Sequence, residues 1–238
     1  VYKRQVIAIS KTVEKYVNEN YERYLKKPPR LIYRGSDEKY FSNSFVPSES
    51  YKDNFFKQFT NLKNQKIITF PGRLSSWKGQ ESFIKLMSDL PDDYSGLIVG
   101  PYKSAKPKYL NSLKKLIEDY RLQNKVHFYN AKDDIREIYY LSEVVLNLSS
   151  KPEPFGRTIL EAAMMGKKIA GWDRGGPGEV LDMCFPQGKV EFNKFNSLVE
   201  TVKTLSESED IPSNIFRTSD LMHSKTIGFY LDAIDKNS

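Results

Sequence analysis

Along this chain, short runs rich in valine and isoleucine alternate with stretches whose apolar residues recur at helical spacing. "KIITFPGRL" (66–74), "YSGLIVGP" (94–101), "KVHFYN" (125–130), "EVVLNLS" (143–149) and "KKIAGW" (167–172) each read as a buried strand. Between them, "KGQESFIKLMSDL" (78–90), 107–122, "DDIREIYYLS" (133–142) and 156–165 read as helices, the last closed by Gly166 as a C-cap. In 107–122, Tyr109, Leu110, Leu113, Leu116, Ile117 and Tyr120 fall on one face, the pattern of an amphipathic helix. Strand, helix and strand recurring between 66 and 183 predict one doubly wound α/β domain with a parallel sheet. Upstream, "QVIAIS" (5–10) reads as a strand, "KTVEKYVNENY" (11–21) as a helix and "PRLIYRGSD" (29–37) as a strand entering a turn. Helices around 176–183, 193–206 and 218–234 complete the chain.

The 238 residues suffice for one large domain plus part of another. A core of that size needs no disulfide or metal staple, and the single cysteine, Cys184, fits a reducing compartment. No apolar run approaches the ~20 residues that span a bilayer. The formal charge of +7 attracts anions such as nucleotides or an acidic membrane face. The lysines are scattered among acids rather than blocked together, which argues against a nucleic-acid arm.

In open parallel sheets, ligands bind outside the carboxyl ends of the strands. Arg73 follows strand 66–71, Gly100 ends strand 94–99, Glu153 follows strand 143–149, and Gly175 and Gly176 follow strand 168–172. Glycine, cations and carboxylates thus collect at one rim, the composition of an anion pocket. In "PGRLSSWKG" (71–79), Arg73 and Lys78 flank a strand-to-helix loop. Two cations beside a helix N-terminus suit a diphosphate, although a solvated arginine and a lysine lying over Trp77 fit the same letters. Glu161 has two readings as well. "TILE" (158–161) matches a capping box, whereas a carboxylate behind Gly156 and exposed first-turn amides would suit a nucleotide with vicinal sugar hydroxyls.

In order along the chain, "VIAIS", "IYRGSDEKYF", "GRLSSWKG", "KVHFYN", "EPFGRTILEA" and "GWDRGGPGEV" resemble the retaining glycosyltransferases of family 4, enzymes of GT-B fold. The resemblance implies that residues 1–40 are the end of an N-terminal acceptor domain with the interdomain crossover. Residues 41–217 would be the C-terminal Rossmann-like donor domain, and 218–238 a helix returning toward the N-terminal half. It implies Arg73 and Lys78 on the donor diphosphate, Glu161 on the ribose and Glu153 on hydroxyls of the transferred sugar. The Phe155, Gly156 and Arg157 backbone would face sugar and phosphate. A Gly175–Gly176 loop would close the pocket, and Asn130 to Lys132 would lie near the base.

The substrate would be a UDP-, GDP- or ADP-linked sugar, with no metal and no separate cofactor. The acceptor, a glycan or a lipid-linked species, would be bound by the largely absent N-terminal half. This chain alone is accordingly expected to bind donor and transfer little sugar. The setting implied is cell-surface glycan or lipopolysaccharide assembly in the cytoplasm, with peripheral contact at the inner membrane face and no nucleic-acid partner. Three departures bear on loop shape and acceptor: Arg34 where asparagine is usual, no second glycine after Gly100, and Leu148 where proline is common. A non-catalytic nucleotide- or glycan-binding module is the alternative. No G-x-G-x-x-G follows the first strand, which disfavours a Rossmann oxidoreductase.

Overall fold

The computed structural model describes residues 6–130, 134–213 and 219–235, without the side chains of 233–235. The chain opens on a small β–α–β unit. Strand β1 (Ile7–Ala8) pairs in parallel with β2 (Arg30–Leu31) across helix α1 (Lys11–Tyr21). Both strands are shorter than the sequence predicts. Helix α2 (Glu49–Gln58) follows, and the sequence pattern does not announce it. Then come β3 (Lys66–Pro71), α3 (Gln80–Asp89), β4 (Tyr94–Val99), α4 (Pro107–Asp119) and β5 (Val126–Tyr129). The chain continues through α5 (Ile135–Leu141), β6 (Val144–Asn147), α6 (Arg157–Met164), β7 (Lys168–Trp172) and α7 (Gly175–Cys184). It ends with β8 (Lys189–Val190), α8 (Phe195–Glu207) and α9 (Ser219–Asp235).

The six strands from β3 onward form one parallel sheet in the order β5-β4-β3-β6-β7-β8. The predicted doubly wound α/β class holds. Helices cover both faces, so the central strands are largely apolar, and β4 is buried at all six positions. One face packs Phe83, Ile84 and Met87 of α3 with Leu113 and Ile117 of α4 and Val202 of α8. The other face packs Phe55 and Phe59 of the α2 segment against Ile67, Leu97, Val99 and Ile138. On α4 the burial is narrower than its sequence pattern: Tyr120 is 42% exposed, because it lies at the C-cap.

Successive crossovers run outward from β3 to β5, and the chain then returns to place β6 on the other side of β3. The sheet therefore reverses its winding between β3 and β6, and the loops 72–79 and 148–156 leave neighbouring strand ends there. The small N-terminal unit is fastened to this region. The Ser10 hydroxyl donates to the Pro154 carbonyl at 2.6 Å and caps α1 by accepting from the Val13 amide at 3.1 Å. Glu179 of α7 accepts the Lys11 and Thr12 amides at 2.9 and 2.7 Å. A carboxylate at a helix N-terminus is favourable, and α1 buries no residue of its own. Glu179→Ala is expected to cost about 1 kcal/mol and to speed hydrogen exchange at Lys11 and Thr12 while the six-stranded sheet stays protected; unchanged exchange there would show that the cap is not needed.

At the far end, the Ser219 amide donates to the Ser36 carbonyl. Ile227 and Tyr230 of α9 are 60% and 59% exposed. Among the described residues, no helix is long and apolar enough to cross a membrane.

Candidate functional site

The two loops at the winding reversal are tied together by backbone contacts. The Ser150 amide donates to the Trp77 carbonyl at 2.8 Å, and its hydroxyl to the same oxygen at 3.2 Å. Gly79 caps α3 in the left-handed region, φ 98°, where a side chain is strained. A Cβ there would also lie 2.1 Å from the Leu148 carbonyl oxygen. Glycine at 79 is what lets loop 72–79 lie directly on loop 148–156.

That closeness brings Lys78 and Glu153 together. The ammonium is 2.7 Å from Glu153 Oε2, and the two side chains are only 18% and 12% exposed. Asn147 Nδ2 donates to Oε1 at 2.9 Å, and the Ser149 hydroxyl donates to the same oxygen. Burial pushes the Glu153 carboxyl up, but the hydrogen bonds from Lys78, Ser149 and Asn147 and the Lys78 charge outweigh it and hold the acid below the ordinary carboxylate range. Lys78 Nζ also stands 4.6 Å from the Trp77 ring centroid, so the lysine covers the tryptophan and pairs with the acid at once. Arg73 is exposed on the same loop. Its carbonyl accepts from Gln80 at 3.0 Å. The structure therefore unites Lys78 with Glu153 and leaves the Arg73 guanidinium on the same loop without an ion pair among the described residues.

Helix α6 starts one residue later than expected, with Gly156 as its cap at φ 98° and no side chain bonding the first turn. This overturns the capping-box reading of "TILE": Thr158 lies inside the helix, so Glu161 has no cap hydroxyl to answer. Glu161 is instead 6% exposed, and Arg157 one turn earlier binds its Oε1 through Nη2 at 2.9 Å and Nε at 3.2 Å. Burial raises its carboxyl above the ordinary range, against the opposing pull of Arg157, Tyr139 and Arg34.

Gly175 and Gly176 correct another expectation. They form the first turn of α7 rather than a loop. The Gly176 amide donates to the Glu153 carbonyl at 2.8 Å, and a Cβ on it would lie 2.2 Å from Phe155 Cα. The helix start thus backs the Glu153 loop directly. The Phe155 ring is buried in the core, leaving its backbone on the loop. Asn130 is half-buried just beyond β5; Ala131 and Lys132 lie outside the described residues. Sequence reasoning missed Asn147 and Ser149, although two polar residues at a strand end ahead of an acid were a readable signal. It also missed the approach of Arg34 to Glu161, which spans separate units of the fold and leaves no local trace.

Comparison with known proteins places this geometry. The chain is 32% identical over 181 residues to an uncharacterized glycosyltransferase of Methanocaldococcus jannaschii, covering 74% of this chain and 42% of that protein. It is 31% identical over 135 residues to mannosylfructose-phosphate synthase of Agrobacterium fabrum, covering 53% of this chain and 29% of that protein. The chain therefore spans less than half the length of these relatives. Among solved structures, a glycosyltransferase from Rickettsia africae superposes with a TM-score of 0.83 at 26% identity, over 99% of this chain and 65% of that one. The Anabaena protein HepE, solved with UDP and glucose, superposes with a TM-score of 0.77 at 22% identity, over 96% and 63%. The fold is that of the GT-B glycosyltransferases. A family model described as glycosyl transferases group 1 matches residues 52–219, the whole six-stranded sheet with both tied loops, and the chain belongs to that family.

Proposed function

We propose that this chain is the donor half of a retaining, metal-independent glycosyltransferase of family 4, taking a nucleotide-diphosphate-sugar and passing its sugar to a hydroxyl. The observation that carries the reading is the Lys78–Glu153 pair at the winding reversal of the sheet, with Glu161 buried on the neighbouring helix. In this reading Arg73 and Lys78 take the diphosphate, together with the uncapped first turn of α6 around Gly156 and Arg157. Glu161 accepts the ribose hydroxyls, Glu153 orients the sugar, and Asn130 lies toward the base. Gly175 and Gly176 hold the Glu153–Phe155 backbone in place.

As the anomeric carbon–oxygen bond breaks, its electron pair passes to the diphosphate, whose growing charge the cations stabilise. The acceptor oxygen forms the new bond and gives up its proton to the departing diphosphate. Residues 1–40 and 218–238 serve as the crossover and the returning helix of a two-domain enzyme. Its acceptor half lies largely beyond this chain, so the chain alone binds donor and transfers little. The setting is glycan or lipopolysaccharide assembly at the inner face of a membrane, where a surplus of lysine suits contact with anionic lipid.

Calorimetric titration with UDP, GDP, ADP and their sugars tests this. Saturable binding of one diphosphate is expected, weakened about tenfold in Glu161→Gln. The exposed Ile227 and Tyr230 of α9 favour a second reading, a non-catalytic module offering a partner surface. A well-folded chain that binds none of the nucleotides would select it.

A further inference from the structure

Tyr139 of α5 is completely buried, and its hydroxyl completes no hydrogen bond. Buried hydroxyls almost always find a partner. The charges of the Glu161 carboxylate and of Arg157 both act on it, and the carboxylate is the acceptor at hand. On that carboxylate, Arg157 binds Oε1 through Nε and Nη2, and no bond to Oε2 forms among the described residues. The last torsion of a glutamate is broad, so a carboxylate held at one oxygen keeps freedom to swing. A group that must accept two hydroxyls at once needs its plane fixed.

We propose that Tyr139 is a positioning residue for the donor: its buried hydroxyl donates to Glu161 Oε2 when a vicinal diol docks, so that α5 and α6 each hold one carboxylate oxygen. This rests on the reading of Glu161 as the ribose-binding group. Besides Arg157 on its own helix, Glu161 faces the Tyr139 hydroxyl and the charge of Arg34 from the segment after β2. All three favour the carboxylate, and burial opposes it. Binding of a diol by the charged form is lost as pH falls through the raised titration range of this acid. Removing the tyrosine donor moves that range further upward.

The test is Tyr139→Phe, which keeps the ring and removes only the oxygen. The hydroxyl completes no hydrogen bond in the unliganded fold, so thermal stability is expected to change little. Calorimetry uses the diphosphate that binds tightest among UDP, GDP and ADP, beside its 2′,3′-dideoxy form. The variant is expected to lose about tenfold in affinity for the diol-bearing nucleotide and none for the dideoxy one. Carbon-13 titration of Glu161 is expected to show a higher midpoint in the variant. An unmoved midpoint, or equal losses for both nucleotides, overturns the role of Tyr139. If the wild-type chain binds the two nucleotides equally, or binds neither, the ribose reading of Glu161 fails, and Tyr139 loses its role even where the midpoint shift reveals the contact.

Discussion

Lys78→Ala is expected to lower the stability of the chain by about 2–4 kcal/mol, the cost of leaving one partner of a largely buried pair uncompensated. It should also reduce affinity for a nucleoside diphosphate by one to two orders of magnitude. The first effect follows from Glu153, which keeps Asn147 and Ser149 but loses its cation. The second follows because the remaining carboxylate would repel the diphosphate that the ammonium attracts. The pH dependence separates the two. In the native chain the Glu153 carboxyl is depressed, so its stabilising share is present above the ordinary glutamate range and disappears as pH falls through the folded value. In the variant, burial raises that acid, and protonation relieves the penalty. The stability gap between the two proteins should therefore be widest near neutrality and close in acid. Urea unfolding at both pH values measures this, and a gap independent of pH would show that the ion pair contributes little.

Gly79→Ala is expected to be the more damaging change to the fold, costing at least ~3 kcal/mol. Its left-handed φ of 98° alone strains any side chain. The new methyl would also meet a backbone oxygen 2.1 Å away, and backbone cannot rotate aside as a side chain can. Relief requires loop 72–79 to move off loop 148–156, which separates Lys78 from Glu153. Nucleotide binding should fall together with the urea midpoint. Gly228→Ala, whose added carbon meets nothing within 4 Å, serves as the neutral control on an exposed helix. Equal behaviour of the two variants would refute the packing argument.

The central sheet was legible because its strands are buried on both faces and so read as unbroken apolar runs. Helix α2 was not. Its segment, "ESYKDNFFKQ", buries only Phe55 fully, and the ring cluster that holds it joins the nearby Phe59 at 5.2 Å to Tyr129 at 5.7 Å, far along the chain. Strand β8 has two residues, too few for a period. The site was legible as a set of residue types at strand ends, and the structure brings Lys78 and Glu153 into contact. What the letters hid was local geometry. A left-handed glycine at 156, rather than Thr158, begins α6, and that difference turns Glu161 from a cap into a buried acid beside Arg157. The glycines at 175 and 176 were expected as a loop because glycine is common both in loops and in tight packing.

Glu179 grips the start of α1 while the first turn of the same helix α7 braces the backbone of Glu153. The leading β–α–β unit and the Glu153 backbone are thus mounted on one short helix. A tilt of that unit must either tear two amides from a carboxylate or carry the helix, and the acid with it, along the same arc. Helix α7 thereby couples the leading unit to Glu153 without passing through the sheet.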